Sequence, residues 1–311
     1  MLSRAVPIAC FAVLFVALLP ACEDQASSTQ TTTTQAPSTA AQAPESSEAP
    51  RVAALLPFAA DQLIAMGVQP VLVPALRGGQ PEAWQGIDAG ALDHTVGPNI
   101  EQLIAADPDV VIMSAVYTQF VPQIEETTDA RVVTMDADTL EDITTHTRTI
   151  GELVGKPERA EQWIDGFHDT LGAIDADAQD EPVSVLAVFG TPQAFYAFLP
   201  KSYLGNLVEH AGGELVTSDM PEHAVFRGLA PLSMEAVVQK DPDVLLVVFH
   251  GPEQAARAML DRDPLWSQLS AVKGDHIAML PDDLYAMRSG SEATTALRNL
   301  RDAIDRARPA R

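Results

Sequence analysis

Side chains that could bind a ligand follow two matching apolar runs in this sequence. His250 comes directly after "VLLVVF", and Tyr117 comes shortly after "VVIM". An imidazole at the end of a buried strand can bind a metal or can make a hydrogen bond within its own loop, and the sequence leaves both roles open.

Two arginines and several aromatic residues also lie near predicted strand ends. They lie in predicted loops of the second half of the chain, in "FGTPQAFYAF", "HAVFRG" and "LYAMRSG": Phe195, Tyr196, Arg227, Tyr285, Met287 and Arg288. A guanidinium group pairs with anions and stacks on aromatic rings. Each residue alone is equally well explained as a surface or packing side chain, and their shared position at strand ends favours a binding role for the set.

Motifs of the common enzyme classes do not occur. No "GxGxxG" follows a strand, and the sequence lacks "GxxxxGK[ST]", "HExxH" and "GxSxG". Most histidines are scattered and are interpreted as surface or structural residues: His94, His146, His168, His210 and His276. The sequence therefore predicts neither an enzyme nor a histidine-rich metal site.

Composition indicates an acidic globular protein that does not bind nucleic acid. The 311 residues include 19 Lys and Arg against 43 Asp and Glu, which gives a formal charge of -24. Binding to a phosphate backbone requires clustered basic residues. The hydrophobic content of 47% is enough for a packed core, and the length allows two domains.

The N-terminal segment has the pattern of an export signal. Arg4 precedes an apolar run that is too short to span a membrane comfortably, and "LPAC" ends at Cys22. This step resembles a bacterial lipobox, which predicts a signal peptide over residues 1–22 and a lipid anchor at Cys22. An ordinary signal peptide is the alternative. Residues 23–50 contain no large apolar side chain, so we expect a disordered tether there.

Two α/β lobes are predicted beyond the tether. Strand-like and helix-like segments alternate over residues 51–138 and again over residues 181–311, as expected for largely parallel sheets. Residues 139–180 contain no strand-like run, and apolar residues after Pro157 recur at helical spacing. We expect one long helix of roughly 30 Å to join the lobes.

One phrase occurs in both lobes. "IEQLIAADPDVVIM" at residues 100–113 aligns without gaps with "MEAVVQKDPDVLLV" at residues 234–247, and 5 of the 14 positions are identical. Each Asp-Pro-Asp should end a helix, because proline disfavours helical geometry in the preceding residue. The lobes should then enclose a cleft at the carboxyl ends of their strands. The loops at Pro57, Ala115, Gly190 and His250 would line it.

Together, the lipobox, the tether, the doubled phrase and the long helix resemble the class III substrate-binding proteins of bacterial ABC importers. The resemblance covers roughly residues 51–305. It implies two Rossmann-like lobes with a ligand cleft between them, and a ferric siderophore, haem or cobalamin as the transported ligand. It implies no intrinsic cofactor, and it implies a permease dimer with its ATPase as partners. The protein itself would be exported and anchored to the cell membrane, facing the periplasm or the cell exterior. A metal-cofactor maturation protein on the same fold is the alternative, which the export signal disfavours.

The same resemblance implies roles for particular residues. Glu101 and Glu235 match the glutamates that dock on permease arginines, although acids in the first turn also complement a helix dipole. His250 matches a haem-ligating histidine of the C-terminal lobe. The loop "TVGPNIE" lacks the Met or Tyr with which haem receptors often complete the coordination of iron, so Tyr117 is the candidate for a second ligand.

Overall fold

The computed structural model describes residues 49–76, 79–93, 95–176, 181–191, 194–224, 226–262 and 264–308. The predicted signal peptide, Cys22 and nearly all of the tether lie outside these residues, so their interpretation stays a prediction.

Helices and strands alternate over much of the described chain, as predicted. The bounds of the α-helices are α1 (Pro57–Ala65), α2 (Ile100–Ala106), α3 (Val121–Thr128), α4 (Leu140–Leu153), α5 (Pro157–Ala176), α6 (Tyr203–His210), α7 (Met234–Lys240), α8 (Glu253–Arg262), α9 (Ser270–Lys273) and α10 (Ala293–Ala307). Short 3-10 helices cover Glu82–Trp84, Ala115–Phe120 and Trp266–Gln268, and a short π-helix covers Asp283–Met287.

The strands fall into one main sheet per lobe and two small two-stranded sheets. Their bounds are β1 (Val52–Ala54), β2 (Val73–Pro74), β3 (Ala89–Gly90), β4 (Leu92–Asp93), β5 (Gly97–Pro98), β6 (Val110–Met113), β7 (Arg131–Thr134), β8 (Val183–Gly190), β9 (Phe195–Phe198), β10 (Gly213–Leu215), β11 (Leu229–Pro231), β12 (Val244–Phe249) and β13 (Ile277–Leu280).

The two main sheets share a parallel core. The N-terminal sheet has the order β1-β6-β7, and the C-terminal sheet contains the matching order β8-β12-β13. The C-terminal sheet is larger because β10 pairs with the first part of β8, and β9 pairs antiparallel with its last part. In both lobes the strand that follows the repeated Asp-Pro-Asp is therefore central.

The repeated phrase folds in the same way in both lobes. Asp107 and Asp241 end α2 and α7 with positive φ angles of 45° and 42°. The second aspartate of each phrase then connects the start of the central strand with the start of a neighbouring strand. Asp109 accepts a hydrogen bond from the Arg51 backbone N–H at 2.7 Å, and Asp243 accepts one from Ser184 Oγ at 2.6 Å. The predicted helix stop and internal duplication are confirmed.

Successive residues of the central strands pack into different hydrophobic clusters, because side chains of a strand alternate between the faces of its sheet. One cluster is shared by both lobes, and it includes Val110, Ile112, Val244, Leu246 and Val248. The intervening residues pack on the outer face of each sheet, and they include Val111, Met113, Leu245 and Val247. Both sheets are thus covered on both faces, which explains their continuous apolar runs.

Helices connect the two lobes. The predicted long helix is confirmed as α5, 20 residues that begin at Pro157. Near its start Ala160 packs against Gly151 of α4, and near its end the Ile174 carbonyl accepts a hydrogen bond from Arg301 of α10. Residues 47–311 form one compact unit.

Candidate ligand site between the lobes

His250 is held by a carboxylate at the end of the neighbouring strand. It follows β12, and its backbone N–H donates to the Gly190 carbonyl at 2.9 Å. Its Nδ1 lies 2.8 Å from Oδ2 of Asp282, which follows β13, and the side chain is 37% exposed. A carboxylate at Nδ1 fixes the orientation of the ring, and a metal would then have to bind through Nε2. The sequence prediction missed Asp282, although its position after "HIAML" follows the rule that selected His250.

Tyr117 lies at the equivalent end of the N-terminal sheet but is only 6% exposed. It packs in the hydrophobic cluster of that lobe, with its ring 6.4 Å from that of Phe120. Burial, and secondarily the Asp93 carboxylate, raises the pKa of Tyr117. Tyrosine binds iron most strongly as the phenolate, so this environment disfavours Tyr117 as an iron ligand, and that role stays a prediction.

Arg227 extends from the C-terminal lobe to two carboxylates of the N-terminal lobe. Its Nη1 lies 3.1 Å from Asp136 Oδ2, and its Nη2 lies 3.0 Å from Asp138 Oδ2. Asp136 also accepts hydrogen bonds from Ser114 Oγ at 2.5 Å and from the Ala115 N–H at 3.2 Å, which places it where β6 and β7 end. Burial, followed by the Asp136 charge, raises the pKa of Asp138, whereas Arg227 opposes this rise.

The two predicted aromatic residues of β9 have different environments. Phe195 packs within the lobe, with its ring 5.3 Å from Trp266 in an edge-on arrangement. Tyr196 contacts the rings of His223 and Phe226 at 5.5 Å and 5.4 Å, and those two rings stack at 4.7 Å. Tyr196 thus belongs to an aromatic cluster next to Arg227. The sequence prediction did not select His223 or Phe226.

Arg288 and Tyr285 have interior positions, which disfavour the predicted contact with a ligand, and that role stays a prediction. Arg288 is paired with Asp61 of α1 at 3.0 Å, lies 5.9 Å from the Trp84 ring, and leaves only 11% of its side chain exposed. Tyr285 is 1% exposed, and its hydroxyl donates to the Ala296 carbonyl of α10 at 2.9 Å. Arg288 therefore joins the lobes, and Tyr285 packs against the last helix.

Met287 belongs to a group of exposed apolar side chains at the strand ends. Among the described residues, five large hydrophobic side chains are exposed: Val96, Ile104, Val116, Phe226 and Met287. Val116 lies in the 3-10 helix after β6, Met287 ends the π-helix after β13, and Val96 and Phe226 lie in loops between strands. The hairpin of Val96 packs through Gly97 on Phe120. Apolar exposure in loops that flank a cleft is typical of a ligand site.

Glu101 and Glu235 occupy equivalent, exposed positions in the first turns of α2 and α7. The last turn of α2 is tied to the start of β1, since Arg51 donates to the carbonyls of Ala106 and Asp107. Its first turn must therefore point towards the carboxyl ends of the strands. The two glutamates thus lie on the cleft side of their lobes, one on each.

The described residues contain neither a metal-binding cluster nor a membrane-spanning helix. No group of three or more His, Cys, Asp or Glu side chains within them could hold a metal ion. None of the described helices is both long and apolar enough to cross a membrane.

Comparison with known proteins gives consistent matches. Residues 52–284 match a family model described as periplasmic binding protein. The high-affinity heme uptake system protein IsdE of Staphylococcus aureus (strain MRSA252) is 21% identical over 221 residues, which cover 69% of this chain and 74% of that protein.

Solved structures of the same fold cover nearly all of their own chains. A crystal structure of an ABC transporter substrate-binding protein from Listeria monocytogenes EGD-e aligns with a TM-score of 0.71 at 20% identity, over 82% of this chain and 98% of that one. S. aureus IsdE complexed with heme aligns with a TM-score of 0.70 at 20% identity, with the same two coverages of 82% and 98%. At this identity the structures establish a shared fold, and the predicted two-lobed α/β architecture is confirmed.

Proposed function

The chain belongs to the periplasmic binding protein family, in the class III group of iron-complex, haem and cobalamin receptors, and on this premise we propose that it captures an iron complex between its lobes. The family consists of binding proteins, so the prediction that the chain is not an enzyme is confirmed. Family membership also implies an extracytoplasmic location. Delivery of the ligand to an ABC permease with its ATPase is part of the proposal.

Haem is the iron complex that the site supports best, and the pair of His250 and Asp282 is the observation that carries this choice. A carboxylate on one ring nitrogen is the common second partner of a metal-binding histidine, because it fixes the ring and strengthens the ligand. The exposed Val116, Phe226 and Met287 supply apolar surface for a porphyrin. IsdE, which was crystallised with heme, is among the relatives.

A ferric siderophore is the second candidate, and Arg227 with its aromatic neighbours favours it. The guanidinium is 70% exposed and adjoins the cluster of Tyr196, His223 and Phe226. Such a combination suits an anionic ligand with aromatic groups. Cobalamin lacks the net negative charge that would engage Arg227.

Titration with four ligands tests this function. Haemin, a ferric tricatecholate, a ferric trihydroxamate and cobalamin are added separately to the purified protein, and intrinsic Trp fluorescence is followed. We expect one-to-one binding, tightest for haemin, and the weakest binding for cobalamin. Tightest binding of the tricatecholate would select the siderophore instead. Binding of none of the four, or of cobalamin alone, would contradict the proposal.

We propose further that Cys22 carries lipid and tethers the receptor to the membrane through residues 23–50. The support is the "LPAC" step at the end of the apolar leader. Cells fed a labelled fatty acid should label the protein, and Cys22→Ser should abolish this label. Absence of label from the unchanged protein would refute the anchor.

A further inference from the structure

Within the part of the chain that the structure describes, two arginines form ion pairs between the lobes, and these pairs differ in burial. Arg288 and Asp61 leave 11% and 18% of their side chains exposed, whereas Arg227 is 70% exposed and its partners Asp136 and Asp138 are 21% and 37% exposed. Breaking a buried pair strands a charge away from water, but an exposed pair exchanges readily with solvent or with another ion. The contact of Arg288 is therefore a fixed connection, and that of Arg227 is one that can open.

The contact of Arg227 also has more negative than positive charge. One guanidinium faces two carboxylates, and Asp142 and His146 lie close enough to influence Asp138. Asp136 is fixed by Ser114 and Ala115, so it cannot follow Arg227 if the arginine turns away. Departure of Arg227 would leave Asp136 and Asp138 facing each other without their cation. Glu222 of the same lobe also lies within electrostatic range of Arg227. A ligand group that offers Arg227 further negative charge would favour that departure.

We propose that Asp136 and Asp138 hold Arg227 across the cleft until an anionic group of the ligand replaces them. This exchange would select for ligands that carry carboxylate or phenolate oxygens. The identity of the ligand in this proposal rests on the proposed function. It assigns Asp136 and Asp138 a role as competitors of the ligand, which sequence reasoning did not give them. A neutral ligand would leave the contact between the lobes closed.

Haemin has two carboxylates and its dimethyl ester has none, so comparing their binding distinguishes an anionic ligand from a neutral one. Asp136→Asn with Asp138→Asn should strengthen haemin binding about five-fold, the size of one exposed ion pair. Asparagine keeps an oxygen for the bonds from Ser114 and Ala115. Binding of the ester should not change. Arg227→Gln should weaken haemin binding and remove the effect of the double variant.

The control variant replaces two exposed aspartates elsewhere, Asp169→Asn in α5 and Asp302→Asn in α10, and changes the net charge by the same amount. If it strengthens haemin binding as much as the substitutions at Asp136 and Asp138, or if those substitutions leave binding unchanged or weaker, competition for Arg227 is refuted.

Hydrogen exchange without ligand tests the contact independently of the proposed function. The substitutions at Asp136 and Asp138 lie in the N-terminal lobe, whereas Phe226 and Arg227 lie in the C-terminal lobe. Faster exchange in the loop of Phe226 and Arg227 must therefore be transmitted across the cleft, and it is the result we expect. Unchanged exchange there would overturn the proposal. Failure of the unsubstituted protein to bind haemin would refute the haem assignment, and the exchange result would still decide whether the carboxylates hold Arg227.

Discussion

Replacement of His250 by alanine should remove the protein ligand from haem iron. We expect the Soret band of the haemin complex to shift towards that of haemin without an imidazole ligand, and the affinity to fall by at least about ten-fold. The reason is that the Asp282 carboxylate holds Nδ1 of His250 at the end of β12, which leaves Nε2 as the nitrogen that would bind iron. Absorption spectra and a binding titration measure both effects.

Two further variants separate iron ligation from a general loss of structure. His210→Ala removes an exposed imidazole at the end of α6 and should leave spectrum and affinity unchanged. Asp282→Asn keeps the shape of the partner but weakens its hold on Nδ1, and it should lower affinity less than loss of His250 does. If His250→Ala and His210→Ala give the spectrum and affinity of the unchanged protein, His250 is not the iron ligand.

Reversal of charge at both Glu101 and Glu235 should abolish transport and preserve ligand capture. The two carboxylates lie on the cleft side of separate lobes, so they can pair with basic residues on the two halves of a permease dimer. With Glu101→Lys and Glu235→Lys together, we expect uptake by cells to fall at least about ten-fold, because two attractive contacts become repulsive. The affinity of the purified protein for its ligand should not change.

A control of equal charge keeps this test specific. Glu126→Lys in α3 and Glu209→Lys in α6 also replace one exposed glutamate in each lobe. This variant should support normal uptake. Equal loss in both variants would point to net charge instead of docking, and normal uptake with the substitutions at Glu101 and Glu235 would show that these glutamates do not dock.

Much of the fold follows from local rules that the sequence displays. Ala106 and Lys240, two positions before Pro108 and Pro242, are the last residues of their helices, and the apolar runs after the prolines form the central strands. Pro157 begins α5 as predicted. These features depend on backbone geometry and hydrophobic spacing within a few residues, so no knowledge of tertiary contacts was needed to predict them.

The site was predictable only in part, because its important contacts join distant segments. Arg227 and Asp136 are 91 positions apart, and Arg288 and Asp61 are 227 apart. Both arginines were predicted as ligand contacts from their position at strand ends. Arg227 is exposed, whereas Arg288 is enclosed by Trp84 and Asp61. The same rule selected Tyr285, whose ring packs on α10 instead. The position of a residue along a strand predicts the end of the sheet at which the residue lies. The direction of its side chain depends on its neighbours in space.

The central claim, that an iron complex binds between the lobes at His250, is tested most directly by anomalous scattering at the iron absorption edge from crystals of the protein with haemin. We expect one iron peak between the lobes, within coordinating distance of His250 Nε2. An iron peak on an outer face of either lobe, or in the cleft but away from His250, would contradict it.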